Sequence, residues 1–340
     1  MNVPLLIGKI TNQIRRARES KVLQNVIWIN ESPVAARHEF LFFIKPEITI
    51  NDKNIRLEPI LELMFQKLDE FGFTIRDIRI LGASYLEKFN IISQHYGVIN
   101  SISRNAAGNL TPEGAARFRE HFGLIPRDTL LLGGIEFLEK YKHYDPISLD
   151  ELWQSSKAVK LAGGTYCTHI KEGNDEIYLV NGFHPKQLVH FTENGRSIVT
   201  LYLSSDIDWT TARNQFIGKT NPSDALPGSL RRELLDRKTD FGLETVNSSK
   251  NGFHLSAGPV EGLVELMRYC SDYSAGIIRN PADFEFGRNL LESFSPVQVA
   301  GICTNNNVEH NGTQISVFDL TEEKNADEAL KLLKESISRQ

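Results

Sequence analysis

The sequence is poor in cysteine, lacks long hydrophobic runs and has no basic excess. Its three cysteines, Cys167, Cys270 and Cys303, are odd in number and widely spaced, which suits a reducing compartment better than a disulfide framework. A formal charge of -5 argues against a general nucleic-acid surface, because neutralising phosphates requires a basic excess. No apolar run reaches membrane-span length, and the stretch from Met1 to Gly8 is too short for a signal sequence. We therefore expect a soluble, cytoplasmic protein that binds neither membrane nor nucleic acid.

The first hundred residues contain regular patterns of apolar residues and turn residues. Apolar positions three and four apart predict one helix, and a Ser-x-x-Glu capping box predicts the start of another. The predicted elements are a strand over Glu39–Ile44, a helix over Leu57–Leu68 that stops at Gly72, a strand over Phe73–Leu81, and a helix from Ser84 to about Tyr96.

A similar pattern resumes near residue 183. It predicts a helix from Phe183 to Phe191, a strand over Ser197–Leu203, a helix from the cap Asp208 to Phe216, a loop over Gly218–Gly228, a strand at Phe253 and His254, and a helix over Val260–Tyr269. Without the residues in between, the order is βαββαβ, which predicts an α+β, ferredoxin-like sandwich.

The remaining segments predict additions to this sandwich. Helical stretches near residues 111–114, 135–141 and 149–157 predict that residues 98–178 form an inserted, mainly helical subdomain. The C-terminal extension, residues 276–340, is predicted to be α/β, with strands over Val297–Cys303 and Gln314–Leu320 and a helix from Asp327 to about Ser338. The predicted domains are therefore a helical lead over 1–36, a sandwich over 37–97 and 179–275, the insert and the extension.

Two polar runs carry the strongest functional signal. Residues 220–231 read Thr-Asn-Pro-Ser-Asp-Ala-Leu-Pro-Gly-Ser-Leu-Arg, and residues 250–256 read Lys-Asn-Gly-Phe-His-Leu-Ser. Upstream, residues 43–47 read Phe-Ile-Lys-Pro-Glu. Together these runs resemble the signature of nucleoside diphosphate kinases, in which Thr-Asn-Pro-x-Asp-x-x-Pro-Gly-[Thr/Ser]-Ile-Arg precedes Asn-x-x-His-x-Ser. The resemblance covers roughly residues 37–96 and 183–272.

The resemblance implies a role for each matching residue. His254 matches the nucleophile, and Ser256 and Glu265 match the pair that orients it. Phe183 falls where an aromatic ring stacks on the base, and Asn251 matches the residue that contacts the ribose. The residues that match phosphate contacts, or in the case of Arg213 lie next to such a position, are Lys45, Tyr96, Arg213, Thr220 and Arg231.

These residue types suit phosphoryl transfer between nucleotides through a phosphohistidine. A neutral imidazole is a competent nucleophile near pH 7, and a carboxylate on its other nitrogen selects the tautomer and stabilises the developing cation. Cationic side chains stabilise the charge on the transferring group, as does Mg²⁺ held mainly by the nucleotide phosphates. The expected partners are nucleoside tri- and diphosphates, and the resemblance also implies a homodimer or a higher homo-oligomer.

Four features depart from the family pattern. An arginine expected before the Thr-Asn-Pro run falls on Asn214, and a one-residue offset rotates a helical side chain by about 100°. Unless the helix is locally overwound, one phosphate clamp is then missing. Leu255 is expected to add bulk beside His254, and Ala257 stands where the family has an acidic residue. Residues 232–250 include an extra stretch relative to the family.

Two alternatives stand beside the enzyme. The domain could be a nucleotide-binding or sensing module with weakened catalysis that engages a partner through the insert or the extension. Cys167, His169 and His184 could instead suggest a metal site, although their spacing lacks a second ligand pair.

Overall fold

The protein is described by a computed structural model over residues 2–19, 24–30 and 36–337. The chain divides into two compact units, one drawn from Met1–Tyr85 and Asn194–Gln340, the other from Leu86–Glu193. The strands are β1 (Gln24–Ile29), β2 (His38–Ile44), β3 (Thr74–Gly82), β4 (Leu130–Gly133), β5 (Val159–Ala162), β6 (Thr165–Glu172), β7 (Asp175–Val180), β8 (Ser197–Ser205), β9 (Phe253–Leu255), β10 (Asn307–His310) and β11 (Thr313–Ser316).

The α-helices of the described residues are numbered in chain order. They are α1 (Val3–Glu19), α2 (Pro46–Thr49), α3 (Leu57–Glu70), α4 (Ala83–Lys88), α5 (Ile91–His95), α6 (Gly97–Arg104), α7 (Ala106–Asn109), α8 (Pro112–Phe122), α9 (Gly134–Lys140), α10 (Pro146–Ser155), α11 (His184–Thr192), α12 (Trp209–Thr211), α13 (Leu230–Asp236), α14 (Pro259–Tyr269), α15 (Glu285–Ser293), α16 (Pro296–Cys303), α17 (Val317–Thr321) and α18 (Ala326–Ile337). Among the described residues, no helix combines the length and apolar character needed to cross a membrane.

The first unit is built on a five-stranded sheet in the order β1-β3-β8-β2-β9. Every neighbouring pair in it is antiparallel. The strands predicted from residues 39, 73 and 197 onward are confirmed as β2, β3 and β8, and the helix predicted over 57–68 is confirmed as α3. The chain therefore passes through β2, α3, β3, β8, a helical segment and β9, in the predicted βαββαβ order.

One face of this sheet is covered by α1 and α3. Phe40, Phe42 and Ile44 alternate along β2 and enter the apolar core on this face, as strand geometry requires. The helix α3 contributes its buried positions at three-and-four spacing, which is the period of a helix stripe. Each fully buried leucine, isoleucine or phenylalanine side chain stabilises the fold by about 1.5–3 kcal/mol relative to exposure. The opposite face of β2 contacts α14.

Two predicted helical regions differ from the structure. The lead predicted over 1–36 contains α1, but residues 24–29 form β1, which pairs with β3 at the sheet edge. The helix predicted from Ser84 to about Tyr96 is split into α4 and α5. Asn90 precedes α5 with a left-handed backbone at φ 52°, which a continuous right-handed helix excludes.

The second unit is α/β, so the prediction of a mainly helical insert is wrong in this respect. The helices predicted near residues 111–114, 135–141 and 149–157 are confirmed as α8, α9 and α10. They accompany a four-stranded sheet in the order β4-β7-β6-β5, in which β4 and β7 are parallel and the other pairs are antiparallel. Its strands have four to eight residues, which gives little room for a clear period.

The C-terminal segment also corrects two predictions. Residues 297–303, predicted as a strand because of their apolar and β-branched residues, belong to the helix α16. Ser295 caps this helix in a capping box with Gln298, and Pro296 occupies its first turn. The strand predicted over 314–320 ends at Ser316 in β11, where the same serine caps α17. The final helix is present as α18, and its predicted end at Ser338 lies outside the described residues.

Candidate functional site

The predicted nucleophile lies on the edge strand β9. His254 is its middle residue and stands opposite Phe43 of β2 in the antiparallel register. Because side chains alternate along a strand, both rings point away from the core that contains Phe42 and Leu255. The two rings stack with their centroids 4.4 Å apart and their planes at 18°. The register of β2 and β9 thus places the imidazole on the face of the sheet that contacts α14.

A buried carboxylate on α14 fixes the imidazole. Oε1 of Glu265 lies 2.9 Å from Nε2 of His254, and the Glu265 side chain is 2 % exposed. The hydroxyl of Ser256 lies 2.6 Å from Oε2 of Glu265 and accepts a hydrogen bond from the backbone N–H of Leu41 at 3.0 Å. The three predicted residues therefore form one chain of hydrogen bonds, in which Ser256 and the backbone hold the carboxylate in place.

The surroundings of His254 favour the neutral imidazole. Burial lowers its pKa well below the ordinary value of 6.5, and the nearby cations Lys45, Arg231 and Arg213 lower it further. A neutral imidazole hydrogen-bonded to a carboxylate at Nε2 carries its proton on that nitrogen. Such an imidazole has its lone pair on Nδ1.

Lys45 reaches the site from the start of α2. Its Nζ donates to Oδ1 of Asn251 at 2.7 Å. The amide of Asn251 donates to the carbonyls of Thr220 at 3.0 Å and Ser248 at 3.1 Å, so it links the lysine to both polar runs. Burial lowers the pKa of Lys45 from 10.5 to about 8, Glu47 opposes the shift, and Arg231 adds to it. Lys45 and Asn251 are therefore brought together, and Thr220 lies next to them through its backbone.

Arg231 is buried and acts as a brace in this structure. Its Nη1 donates to the carbonyl of Gly218 at 2.8 Å, and its Nη2 and Nε donate to the carbonyl of Phe253 at 2.9 and 3.3 Å. Its guanidinium thus joins the loop before α13 to the strand that carries His254. It contributes positive charge to the site, since it is one of the cations that lower the pKa of His254.

Arg213 lies in a π-helical turn over Ala212–Ile217, which follows α12 directly. A π turn closes hydrogen bonds to the fifth residue, so it accommodates one more residue than an α turn. An extra residue of this kind shifts a side chain by one position in the sequence, which equals the offset between Arg213 and Asn214. Nη1 of Arg213 donates to the carbonyl of Leu255 at 2.9 Å, whereas Asn214 turns back to the carbonyl of Thr210. Arg213 is also one of the cations that lower the pKa of His254. The helix is locally underwound, not overwound, and the expected loss of one phosphate clamp stays a prediction.

The other three departures from the family pattern lie in the first unit. Leu255 is fully buried in the core on the opposite face from His254, so the expectation that its bulk lies beside the nucleophile is wrong. The carbonyl of Ala257 accepts a hydrogen bond from the backbone N–H of Glu323, at 2.9 Å. The extra residues before Asn251 include Phe241, which is fully buried and lies 4.6 Å below the guanidinium of Arg237. Leu255 and the inserted residues are thus accommodated in the packing of the first unit, and nothing in the structure explains the alanine side chain at position 257.

Two predicted nucleotide contacts belong to the second unit. Tyr96 follows α5, and Phe183 precedes α11. The ring of Phe183 packs near Trp153 and Tyr166, with centroids 5.7 and 6.3 Å away. Their proposed contacts with a nucleotide stay predictions.

The alternative metal residues have other partners within the second unit. Cys167 is fully buried, and burial raises the pKa of its thiol. His169 pairs with Glu176 at 2.7 Å. His184 lies within hydrogen-bond distance of Gln187 and Asn100. These contacts account for the residues as structural side chains.

Three carboxylates near Arg213 were not predicted from the sequence. Glu322 and Glu323 form loose ion pairs with it, at 3.9 and 3.8 Å. Burial and the nearby Glu265 raise the pKa of Glu261 to about 8, and Arg213 opposes this shift. Glu261 precedes Glu265 by one helical turn on α14, so helical spacing could have identified it. The other two lie 68 and 69 residues after His254, and no local pattern connects them to it.

Comparisons with known proteins leave the family of this chain open. No protein-family model and no curated protein sequence matches it. Among solved structures, the chain is similar to an NDP kinase from Pyrobaculum aerophilum, with a TM-score of 0.35 and 14 % sequence identity. The match covers 71 % of this chain and 99 % of that chain. At this TM-score and identity, the similarity does not establish a shared family or activity.

Proposed function

We propose that the first unit is a nucleoside diphosphate kinase-like phosphotransferase with a ferredoxin-like fold. His254 accepts the γ-phosphoryl group of a nucleoside triphosphate and passes it to a nucleoside diphosphate. The observation that carries this proposal is the hydrogen-bonded chain of Ser256, Glu265 and His254 beside buried cations. The order β3-β8-β2-β9 and the βαββαβ succession support the proposed fold.

The reaction needs two in-line transfers. Nδ1 of His254 attacks the γ-phosphorus, and the bond from that phosphorus to its bridging oxygen breaks, so that a nucleoside diphosphate leaves with the electron pair. The proton on Nε2 stays in its hydrogen bond to Glu265, whose charge stabilises the cationic character of the phosphorylated ring. A terminal oxygen of the second diphosphate then attacks the phosphorus, the P–N bond breaks, and the neutral imidazole returns.

Cations of the site would stabilise the phosphates, with the substrate being the magnesium complex of the nucleotide. Lys45 and Arg213 supply N–H donors and charge at the side of His254, and Arg231 supplies charge. Asn251 would bind the ribose, and Thr220 a phosphate. The motif resemblance assigns a phosphate contact to Tyr96 and a base contact to Phe183, both of which belong to the second unit. These last four roles rest on the motif resemblance.

The direct test is phosphorylation of the purified chain with γ-labelled ATP and Mg²⁺. We expect acid-labile phosphate on His254, located by mass spectrometry and discharged by added nucleoside diphosphate. His254→Ala should abolish the label. His121→Ala, which alters an exposed histidine of α8, should leave the label unchanged. Label that persists in His254→Ala would overturn the assignment of the nucleophile.

A nucleotide-binding module with weakened catalysis is the second candidate. The observation that favours it is the commitment of Arg231 to the backbone carbonyls of Gly218 and Phe253, which are bonds within the protein. The same experiment separates the two functions. Measurable nucleotide binding without phosphohistidine would support the module, whereas discharge of a phosphohistidine by diphosphate supports the enzyme.

A further inference from the structure

The C-terminal segment places an acidic turn, residues 321–324, against the candidate site. The backbone N–H of Glu323 donates to the carbonyl of Ala257 at 2.9 Å. A Cβ at Gly258 would lie 2.5 Å from the carbonyl oxygen of Thr321, so the two backbones are in direct contact. On the other side of the turn, Asn325 accepts a hydrogen bond from the N–H of Trp209 at 3.1 Å, at the start of α12. The acidic turn is therefore attached to both segments that flank Arg213.

The two carboxylates of the acidic turn face Arg213 without a direct hydrogen bond. Oε1 of Glu322 is 3.9 Å from Nη2, and Oε1 of Glu323 is 3.8 Å from Nε. That Nε is buried and has no hydrogen-bond partner among the described residues. The arginine side chain is 18 % exposed, against 50 % for Glu322 and 35 % for Glu323. The carboxylates thus act mainly through their charge, and their exposure leaves them room to move.

The backbone of Glu323 supports a specific placement of this charge. It adopts a left-handed conformation at φ 56°, which is uncommon for a residue other than glycine. Glu323 also brings Oε2 to 3.4 Å from Nδ2 of Asn214, the neighbour of Arg213 in the π turn. The Glu323 side chain is therefore directed along the π turn, where its negative charge lies close to the positive charge of Arg213.

We propose that the acidic turn is an autoinhibitory counter-charge that competes with nucleotide phosphates for Arg213. The inference rests on the proposed function, in which this arginine contacts a phosphate. Phosphate oxygens are strong acceptors for a guanidinium and would give Nε the hydrogen bond that it lacks among the described residues. Two carboxylates, however, already lie within 4 Å of the Arg213 guanidinium. Phosphate binding must overcome this repulsion or displace the carboxylates. The C-terminal segment therefore lowers the nucleotide affinity of the site.

The test is calorimetric titration of the full chain with Mg²⁺ and ADP. The double variant Glu322→Gln/Glu323→Gln keeps the side-chain shape and removes two charges. We expect it to bind ADP about three- to tenfold more tightly than the wild type, with a smaller gain in high salt. The matched control Glu292→Gln/Glu335→Gln changes the net charge equally on exposed residues of α15 and α18, and should leave the affinity unchanged.

A third variant separates this inference from the proposed function. In an Arg213→Gln background, the gain from the double variant should disappear, because the cation for which the carboxylates compete is absent. If the wild type binds ADP through Arg213 but the double variant binds equally or more weakly, the acidic turn is not inhibitory and the proposed function stands. If neither chain binds ADP, the proposed function fails, and the inference fails with it.

Discussion

Phe43 and His254 face each other across β2 and β9, with their ring centroids 4.4 Å apart and their planes at 18°. This stack covers one face of the imidazole, while Glu265 contacts its edge at Nε2. The apolar surface and the hydrogen bond together restrict rotation of the imidazole ring. Burial of the ring also lowers the pKa of His254. In the proposed function, this arrangement orients Nδ1 of His254 for nucleophilic attack.

Replacing Glu265 by glutamine tests the role of its carboxylate in the hydrogen-bonded chain with Ser256 and His254. Glu265→Gln keeps the shape of the side chain but removes the charge that stabilises the ring during transfer. We expect the rate of phosphohistidine formation to fall by about 10²-fold, which is the lower end of the rate enhancement that positioned acid–base side chains provide. The affinity for ADP should change little, because Glu265 lies behind the imidazole. Rapid-quench labelling with γ-labelled ATP measures the rate.

The control for this variant is Glu58→Gln, which removes an exposed carboxylate from α3. It should retain the wild-type rate. An equal rate in Glu265→Gln and the wild type would show that the carboxylate is structural only.

The pKa of Lys45 predicts a pH dependence of nucleotide binding. Burial lowers this pKa from 10.5 to about 8, so the free protein loses the lysine charge as the pH rises through about 8. Phosphate binds the charged form. The logarithm of the ADP association constant should therefore be level from pH 7 to about 8 and should fall at higher pH, approaching one unit per pH unit.

Lys45→Arg provides the comparison, because an arginine keeps its charge throughout this range. Its association constant should be independent of pH up to 9, whatever its absolute value. Calorimetric titrations with ADP at several pH values test this expectation. An equal decline of the association constant in the wild type and in Lys45→Arg would assign the pH dependence to another group.

Sequence patterns predicted the central sheet well because its strands and helices have strong periods. The apolar run of β2 and the stripe of α3 are local signals, and both elements appear where expected. The edge strand β1 was missed because Gln24 and Asn25 open a short strand whose pairing with β3 is a tertiary contact. The helix α16 was misread because apolar composition outweighed the capping box that starts at Ser295.

The candidate site shows the same division between local and distant signals. His254, Ser256 and Glu265 lie within twelve residues, and the motif resemblance was enough to predict that they act together. The π turn at Arg213 was not visible, since an extra residue in a helical turn changes the register without a marked change in composition. The contacts of Glu322 and Glu323 depend on the folding of the C-terminal segment onto Ala257, which no local pattern encodes.

Exchanging two neighbouring residues tests the π turn. The variant Arg213→Asn/Asn214→Arg keeps the composition and net charge but moves the guanidinium by one position. The side chain at 214 is directed toward the carbonyl of Thr210, so the exchanged arginine should not reach the carbonyl of Leu255. We expect ADP to bind about tenfold more weakly, which is the loss of one charge-assisted hydrogen bond. Calorimetry measures the affinity.

The matched comparison for the exchange is Arg213→Gln, which removes the cation altogether. Both variants should lose affinity to a similar extent and keep the wild-type circular dichroism. Wild-type affinity in the exchanged variant would mean that the position within the π turn is unimportant.

Arg231 offers a contrast between bracing and ligand binding. Its side chain is 4 % exposed and donates to the carbonyls of Gly218 and Phe253, so Arg231→Lys leaves at least one buried acceptor without its donor. Such a loss costs about 1–3 kcal/mol of unfolding free energy, measured by urea denaturation. Arg213→Gln, which alters a side chain with one backbone hydrogen bond, should lower the unfolding free energy less and the ADP affinity more. If Arg231→Lys instead has the wild-type unfolding free energy and loses ADP binding, the main role of Arg231 is to bind phosphate and not to brace the fold.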